Sequence, residues 1–266
     1  MPALFLHFYI LMCYNINMEI DNFDILMQRI DFVDPNDRYI VHIMRRPKDC
    51  KALANTLGAN EAQRMIRTYF VDSLEYLEAK IPAIKELCKS CNARAYLIVS
   101  PKDNFDCLMN LAQKTLETIR NKNYTVKPEH LLRQAYCENH KSRNKQWILD
   151  LDNDEMVEYF ADKNGKPAGS KTWTVSEVMT IVHDELEACG KDPALAYTVP
   201  TRNGVHIITP PFNLQSANKK CGMIFEGCKK VPIELVWTGL ETYDIKRKQV
   251  TGWLHKDGMT LLYYCN

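Results

Sequence analysis

Hydrophobic positions along the chain follow two periods. Short apolar runs at "RYIVHIM" (38–44), "ARAYLIV" (93–99) and "QWILDL" (146–151) have the length and the β-branched and aromatic content of strands. Between the first two, residues 61–80 place Ala62, Met65, Ile66, Tyr69, Phe70, Leu74 and Leu77 at the spacing of a helix that buries one face. Residues 103–120 repeat this with Leu108, Leu111, Ala112, Thr115 and Ile119, behind Asp103 as an N-cap. "TVSE" (174–177) reads as a capping box that opens a helix to 188, with Val178, Ile181, Val182 and Leu186 on its buried side. Further strands are expected at 194–199, 204–209, 232–237 and 259–264. Such an order suits α/β or α+β; we expect an α+β fold, a mixed β-sheet with flanking helices. No repeat, low-complexity tract or long linker demands a second domain, so residues 18–266 are expected to form one, with the motifs described below in about 90–266.

Composition narrows the class. In 266 residues, 46% are hydrophobic and 25% charged, as in an ordinary globular protein. With 34 Lys and Arg against 33 Asp and Glu, the formal net charge is +1, so a nucleic-acid surface has to be a local patch. The ten cysteines are scattered through a long, core-rich chain, which reads as reduced thiols in the cytoplasm. "LFLHFYILMCY" near the N-terminus is apolar, but no Lys or Arg precedes it, His7 interrupts it, and it falls short of the ~20 residues that span a bilayer. Residues 1–17 are therefore expected to be an extension outside the fold, with translation able to start at Met18, and no membrane partner is expected.

Chemistry concentrates in "WILDLDNDE" (147–155). Asp150 and Asp152 end an apolar strand and point the same way, because strand side chains alternate. Two carboxylates so placed repel unless a cation lies between them, and Mg²⁺ or Mn²⁺ prefers such oxygens. An isolated D-x-D is equally compatible with solvated aspartates that start a loop. An EF-hand is excluded, since its sixth and twelfth positions would be Glu155 and Ala161 rather than Gly and Glu. Haloacid-dehalogenase-type phosphatases look for Thr or Val where Asp154 stands, and nothing else singles out a glycosyltransferase.

A second constellation, "TRNGVHIITPPF" (201–212), begins with the turn signal Asn203-Gly204 between "ALAYTV" and "VHIIT". It would close a hairpin and put His206 at the start of a strand, beside a glycine open to close approach and beside Arg202, which can grip phosphate.

Strand-D-x-D followed by G-x-H, here "LDLD" and "GVH", resembles the archaeo-eukaryotic primase (primase-polymerase) superfamily, and the chain is similar to phage-encoded relatives, including in "NARAYL" and the "TLLYYC" ending. The resemblance implies a primase-polymerase-like catalytic core and a metal-dependent nucleotidyltransferase in DNA replication, working on a nucleic-acid template with nucleoside triphosphates. It implies two Mg²⁺ or Mn²⁺ ions on Asp150 and Asp152, ~3.5–4 Å apart as in two-metal enzymes, and His206 on the nucleotide's triphosphate. A third acid is required: Asp257, 51 residues after His206 at the entrance to the last strand, is preferred over Glu234, 28 after it within "VPIELVW". Arg202, and less directly Arg94, are the cations expected to offset the triphosphate charge. The clusters Arg45-Arg46-Lys48, Lys219-Lys220, Lys229-Lys230 and Lys246-Arg247-Lys248 could line a template path.

No G-x-x-x-x-G-K-[ST] occurs, so a separate helicase or replicative polymerase is an expected partner, in the host cytoplasm if the protein is a phage's. "CKSC" (88–91) and "CENH" (137–140) have zinc spacings, but Cys88 shares a helix face with Ile84 and Leu87, so zinc is not expected. The alternatives are a catalytically degenerate nucleic-acid-binding replication protein and, behind it, a haloacid-dehalogenase-like phosphatase.

Overall fold

The computed structural model describes residues 19–46, 65–138, 144–152, 157–161, 167–222, 229–231 and 256–265. Residues 1–17, the strand expected at 232–237, and Glu234 with it, lie outside them. The chain divides into two compact units, Met1–Arg143 with Met259–Asn266, and Asn144–Gly258, the second inserted in sequence into the first.

The first unit is built on a five-stranded sheet. Its elements are β1 (Glu19–Asp21), α1 (Phe23–Met27), β2 (Asp37–Met44), β3 (Met65–Val71), α2 (Leu74–Cys91), β4 (Arg94–Asp103), α3 (Asn104–Arg120) and α4 (Pro128–Glu138). The last strand of the chain, β12 (Thr260–Cys265), returns to give the order β1-β12-β4-β2-β3, with every neighbour antiparallel. Ile40 and Val41, successive residues of β2, are both fully buried, so both faces of the sheet are covered. Cys107 of α3 and Leu132 and Tyr136 of α4 pack on Ile40, Phe70 and Ile98. Helix α2 buries Leu77, Ile84 and Cys88, and it ends at Asn92, which adopts the left-handed conformation at φ 47° that commonly stops a helix.

Two expectations change here. Residues 65–71 form a strand, and the helix starts only at Leu74, where Ser73 accepts the Tyr76 N–H at 3.1 Å. "MIRTYFV" is rich in β-branched and aromatic residues, its apolar set fits either period, and pairing with β2 decides for the strand. On α3, Asp103 is the N-cap, as expected, but the buried side centres on Cys107, while Leu108, Ala112 and Ile119 are exposed. The helix carries apolar residues on more than one side, and only the sheet and α4 select which side is covered.

The second unit contains β5 (Trp147–Asp152), β6 (Val157–Ala161), β7 (Pro167–Thr172), α5 (Val175–Ala188), β8 (Tyr197–Pro200), β9 (Gly204–Thr209), α6 (Leu214–Gly222), β10 (Lys229–Val231) and β11 (Lys256–Asp257). They make a four-stranded sheet, β11-β5-β9-β8, and a three-stranded one, β10-β6-β7, again antiparallel. Thr174 and Glu177 form the expected capping box of α5. Val178, Val182 and Leu186 of α5 pack with Ala217 of α6 on Leu149, Leu151 and Ile207. The α+β class is therefore as expected. Among the described strands the pairings are antiparallel and fall into three sheets rather than one mixed sheet, because hairpins such as β6–β7 and β8–β9 join neighbours directly.

Candidate functional site

Strand β5 separates its two kinds of residue by alternation. Leu149 and Leu151 turn towards α5 and are essentially unexposed, so Asp150 and Asp152 stand on the opposite face of the sheet. Strand β9 obeys the same rule: Val205 and Ile207 join the α5 core, and His206 lies on the aspartate face. The β5–β9 register then sets Asp150 against His206 and Asp152 against Gly204. The His206 Nε2 is 3.2 Å from Asp150 Oδ1, with the histidine side chain 7% exposed and the aspartate 25%.

The hairpin that presents His206 forms as the Asn203-Gly204 signal predicts. At its turn the Thr201 N–H donates to the Gly204 carbonyl at 3.0 Å, and the Gly204 N–H donates to Thr201 Oγ1 at 3.1 Å. Gly204 is required by contact rather than by a special dihedral. A Cβ built on it would lie 1.9 Å from the Leu151 carbonyl oxygen and 3.0 Å from the Asp152 Cα. The strand end that carries Asp152 thus approaches β9 at a distance that only glycine permits.

Of the other expected site residues, Asp257 lies on β11, the strand flanking β5 on the side away from β9, in register with Ile148 and so two residues from Asp150. Arg202 is exposed in the β8–β9 turn. Arg94 belongs to the other unit, where it is buried on β4 with its guanidinium 4.7 Å from the centre of the Tyr264 ring, an interior cation–π contact. Among the described residues, no group of three or more His, Cys, Asp or Glu side chains is placed to hold one metal ion. The carboxylates of Asp150 and Asp152 nonetheless suit an ion of the Mg²⁺ type, which takes one or two protein carboxylates and completes its shell with water and phosphate oxygens.

Several expected template cations have internal partners. Arg45 Nε donates to the Cys91 carbonyl at 2.9 Å, Arg46 donates to the Tyr96 hydroxyl at 3.2 Å, and Lys220 pairs with Glu185 at 2.9 Å. Glu185 is a buried carboxylate that the sequence reading missed; it also accepts from Ser216 Oγ at 2.8 Å, which ties α6 to α5. The available signal was Ser216 and Lys220 one helical turn apart, both able to reach a single acid. Cys88 is fully buried on α2, and burial pushes its thiol up to about 12, which favours the neutral form over the thiolate that binds zinc.

The chain is thus an α+β protein with a strand-end pair of aspartates and a histidine beside one of them. Compared with known protein families, curated proteins and solved structures, it matches none. Among the described residues, no helix is long and apolar enough to cross a membrane.

Proposed function

We propose that this protein is a metal-dependent nucleotidyltransferase of the primase-polymerase kind, in which Asp150 and Asp152 hold Mg²⁺ or Mn²⁺ and His206 meets the triphosphate of the incoming nucleotide. The observation that carries this reading is the 3.2 Å approach of His206 Nε2 to Asp150 Oδ1 across adjacent strands. Residues 56 apart in sequence, singled out as metal ligand and phosphate contact, lie on one sheet face with Asp152 beside them.

A bound divalent ion would supply charge neutralisation at the triphosphate and a lowered pKa for the attacking hydroxyl. The chain's own residues do the rest. Asp150 faces the His206 ring on its Nε2 side, and the nearly complete burial of the imidazole limits its rotation. Asp152, at the strand end against Gly204, is held at a fixed offset from Asp150 by the flush β5–β9 contact. Asp257 on the neighbouring strand is the third acid of this proposal, and the exposed Arg202 the cation nearest in sequence to His206. A template strand, nucleoside triphosphates, a separate helicase or polymerase, and a cytoplasmic setting in a phage-infected host complete it.

The test is primer extension and primer-free synthesis with labelled nucleotides and Mn²⁺, on wild type, Asp150→Asn and Asp152→Asn. Incorporation by wild type that both variants lose is the expected result. Nucleic-acid binding without incorporation by wild type would identify the non-catalytic alternative, and hydrolysis of a generic phosphate ester the phosphatase.

A further inference from the structure

Helix α3 presents an apolar seam to solvent. Phe105, Leu108, Met109, Ala112, Leu116 and Ile119 recur at three- and four-residue intervals, and the large ones are between 48% exposed at Leu108 and 68% at Leu116. The opposite side of the helix is already satisfied: Cys107 is buried against Ile40 and Tyr136, and Lys114 pairs with Glu138 of α4 at 2.6 Å. A shallow groove lined by Met109, Ala112, Leu116 and Arg120 follows the seam. Isolated exposed apolar residues are ordinary, but a continuous row of this length on one helix marks a surface that another element covers.

The arrangement of the seam says what covers it. Phe105 and Ile119 are equally far from Ala112 in sequence, and so are Leu108 and Leu116. Laid antiparallel on itself about Ala112, the helix sets Phe105 against Ile119 and Leu108 against Leu116 at both ends, while the small central residue lets the backbones approach. Its charges match in the same way. Asp106 stands beside Phe105, and Arg120 stands beside Ile119, on one flank of the seam because their separation is close to a whole number of helical turns. The antiparallel arrangement therefore brings Asp106 of each copy near Arg120 of the other, while Glu117 lies further round the same flank, where Gln113 of its own helix donates to it at 2.8 Å. Self-complementarity of this sort is the property of a two-fold interface, in which one patch serves both subunits.

We infer that α3 is a homodimerisation helix, and that its occupant is α3 of a second copy packed antiparallel about Ala112. The inference is independent of the proposed chemistry, which lies in the other unit.

Sedimentation equilibrium over a series of protein concentrations tests it. The expected mass rises with concentration from 30.9 kDa towards twice that value, and Leu116→Glu holds it at the monomer. Asp106→Arg and Arg120→Asp should each weaken association several-fold through like-charge contacts, and the double variant should recover it, because exchanging both charges restores the pairing. Far-ultraviolet circular dichroism of each variant shows that it is folded. A wild type that stays monomeric throughout, a folded Leu116→Glu that dimerises like wild type, or a double variant no better than the singles would each overturn the proposal.

Discussion

Asp150 and His206 are register partners on neighbouring antiparallel strands, and their side chains meet at 3.2 Å between Oδ1 and Nε2. Asp152, two residues along the same face, is opposite a glycine instead. The two aspartates therefore differ in what they lose on substitution, although the sequence presents them as equivalent.

Asp150→Asn removes the charge that stands 3.2 Å from His206 Nε2, and unfolding in urea should show a loss of about 0.2–1 kcal/mol, the scale of one partly exposed charged contact. Asp152→Asn should stay within about 0.5 kcal/mol of wild type, as for most substitutions that break no contact. Both should abolish the rise in melting temperature that the proposed function expects of wild type with Mn²⁺ and a nucleoside triphosphate. An undiminished rise in both variants would remove the pair from the proposed site.

Gly204→Ala puts a methyl group where the Leu151 carbonyl oxygen already is, 1.9 Å from the new Cβ. That oxygen is backbone, so the strand end has to move. A loss of about 1–3 kcal/mol is expected in chemical denaturation, the scale of overpacking a close contact. An alanine variant as stable as wild type would show that β5 and β9 can separate here freely.

His42 gives a dependence on pH. It is almost completely buried on β2, with Nδ1 3.0 Å from Thr68 Oγ1, and burial, reinforced by the charge of Arg133, pushes its pKa down to about 4 from the usual 6.5. The folded state thus keeps His42 neutral where the unfolded chain would take up a proton. Its stabilising effect is complete above about pH 6.5 and is lost as pH falls towards 4, a change on the order of 3 kcal/mol. Urea unfolding of wild type and His42→Gln at pH 7, 5.5 and 4.5 should show the difference in stability shifting against wild type as pH falls. Parallel profiles for the two proteins would contradict it.

Thr174→Ala removes the reciprocal cap of α5, in which Thr174 Oγ1 accepts the Glu177 N–H at 3.2 Å and Glu177 accepts the Thr174 N–H at 2.8 Å. Helix α5 supplies Val178, Val182 and Leu186 to the core behind Asp150 and His206. A loss of about 0.5–2 kcal/mol is expected by thermal or urea unfolding, and Thr174→Ser should recover most of it. No recovery by serine would mean that the methyl group, not the cap, carries the effect.

What the sequence determined by itself is local. The capping box at Thr174, the Asp103 cap and the turn at Asn203-Gly204 are each specified by residues a few positions apart, through hydrogen bonds that need no distant partner, and the strands at 38–44, 147–152 and 204–209 are marked by their short apolar runs. The same-face placement of Asp150 and Asp152 follows from the alternation of strand side chains alone. Tertiary structure decided the rest. "MIRTYFV" became a strand because β2 offered it a partner, since its own apolar spacing satisfied a helix equally well. The covered side of α3 was chosen by the sheet and α4, leaving Leu108 and Ile119 outside. Arg94 was drawn into an interior contact with Tyr264, a residue 170 positions away that no local pattern could connect to it. His206 was brought to Asp150 rather than to Asp152 by the β5–β9 register, in which the place opposite Asp152 is taken by Gly204, so close to the β5 backbone that no side chain fits there.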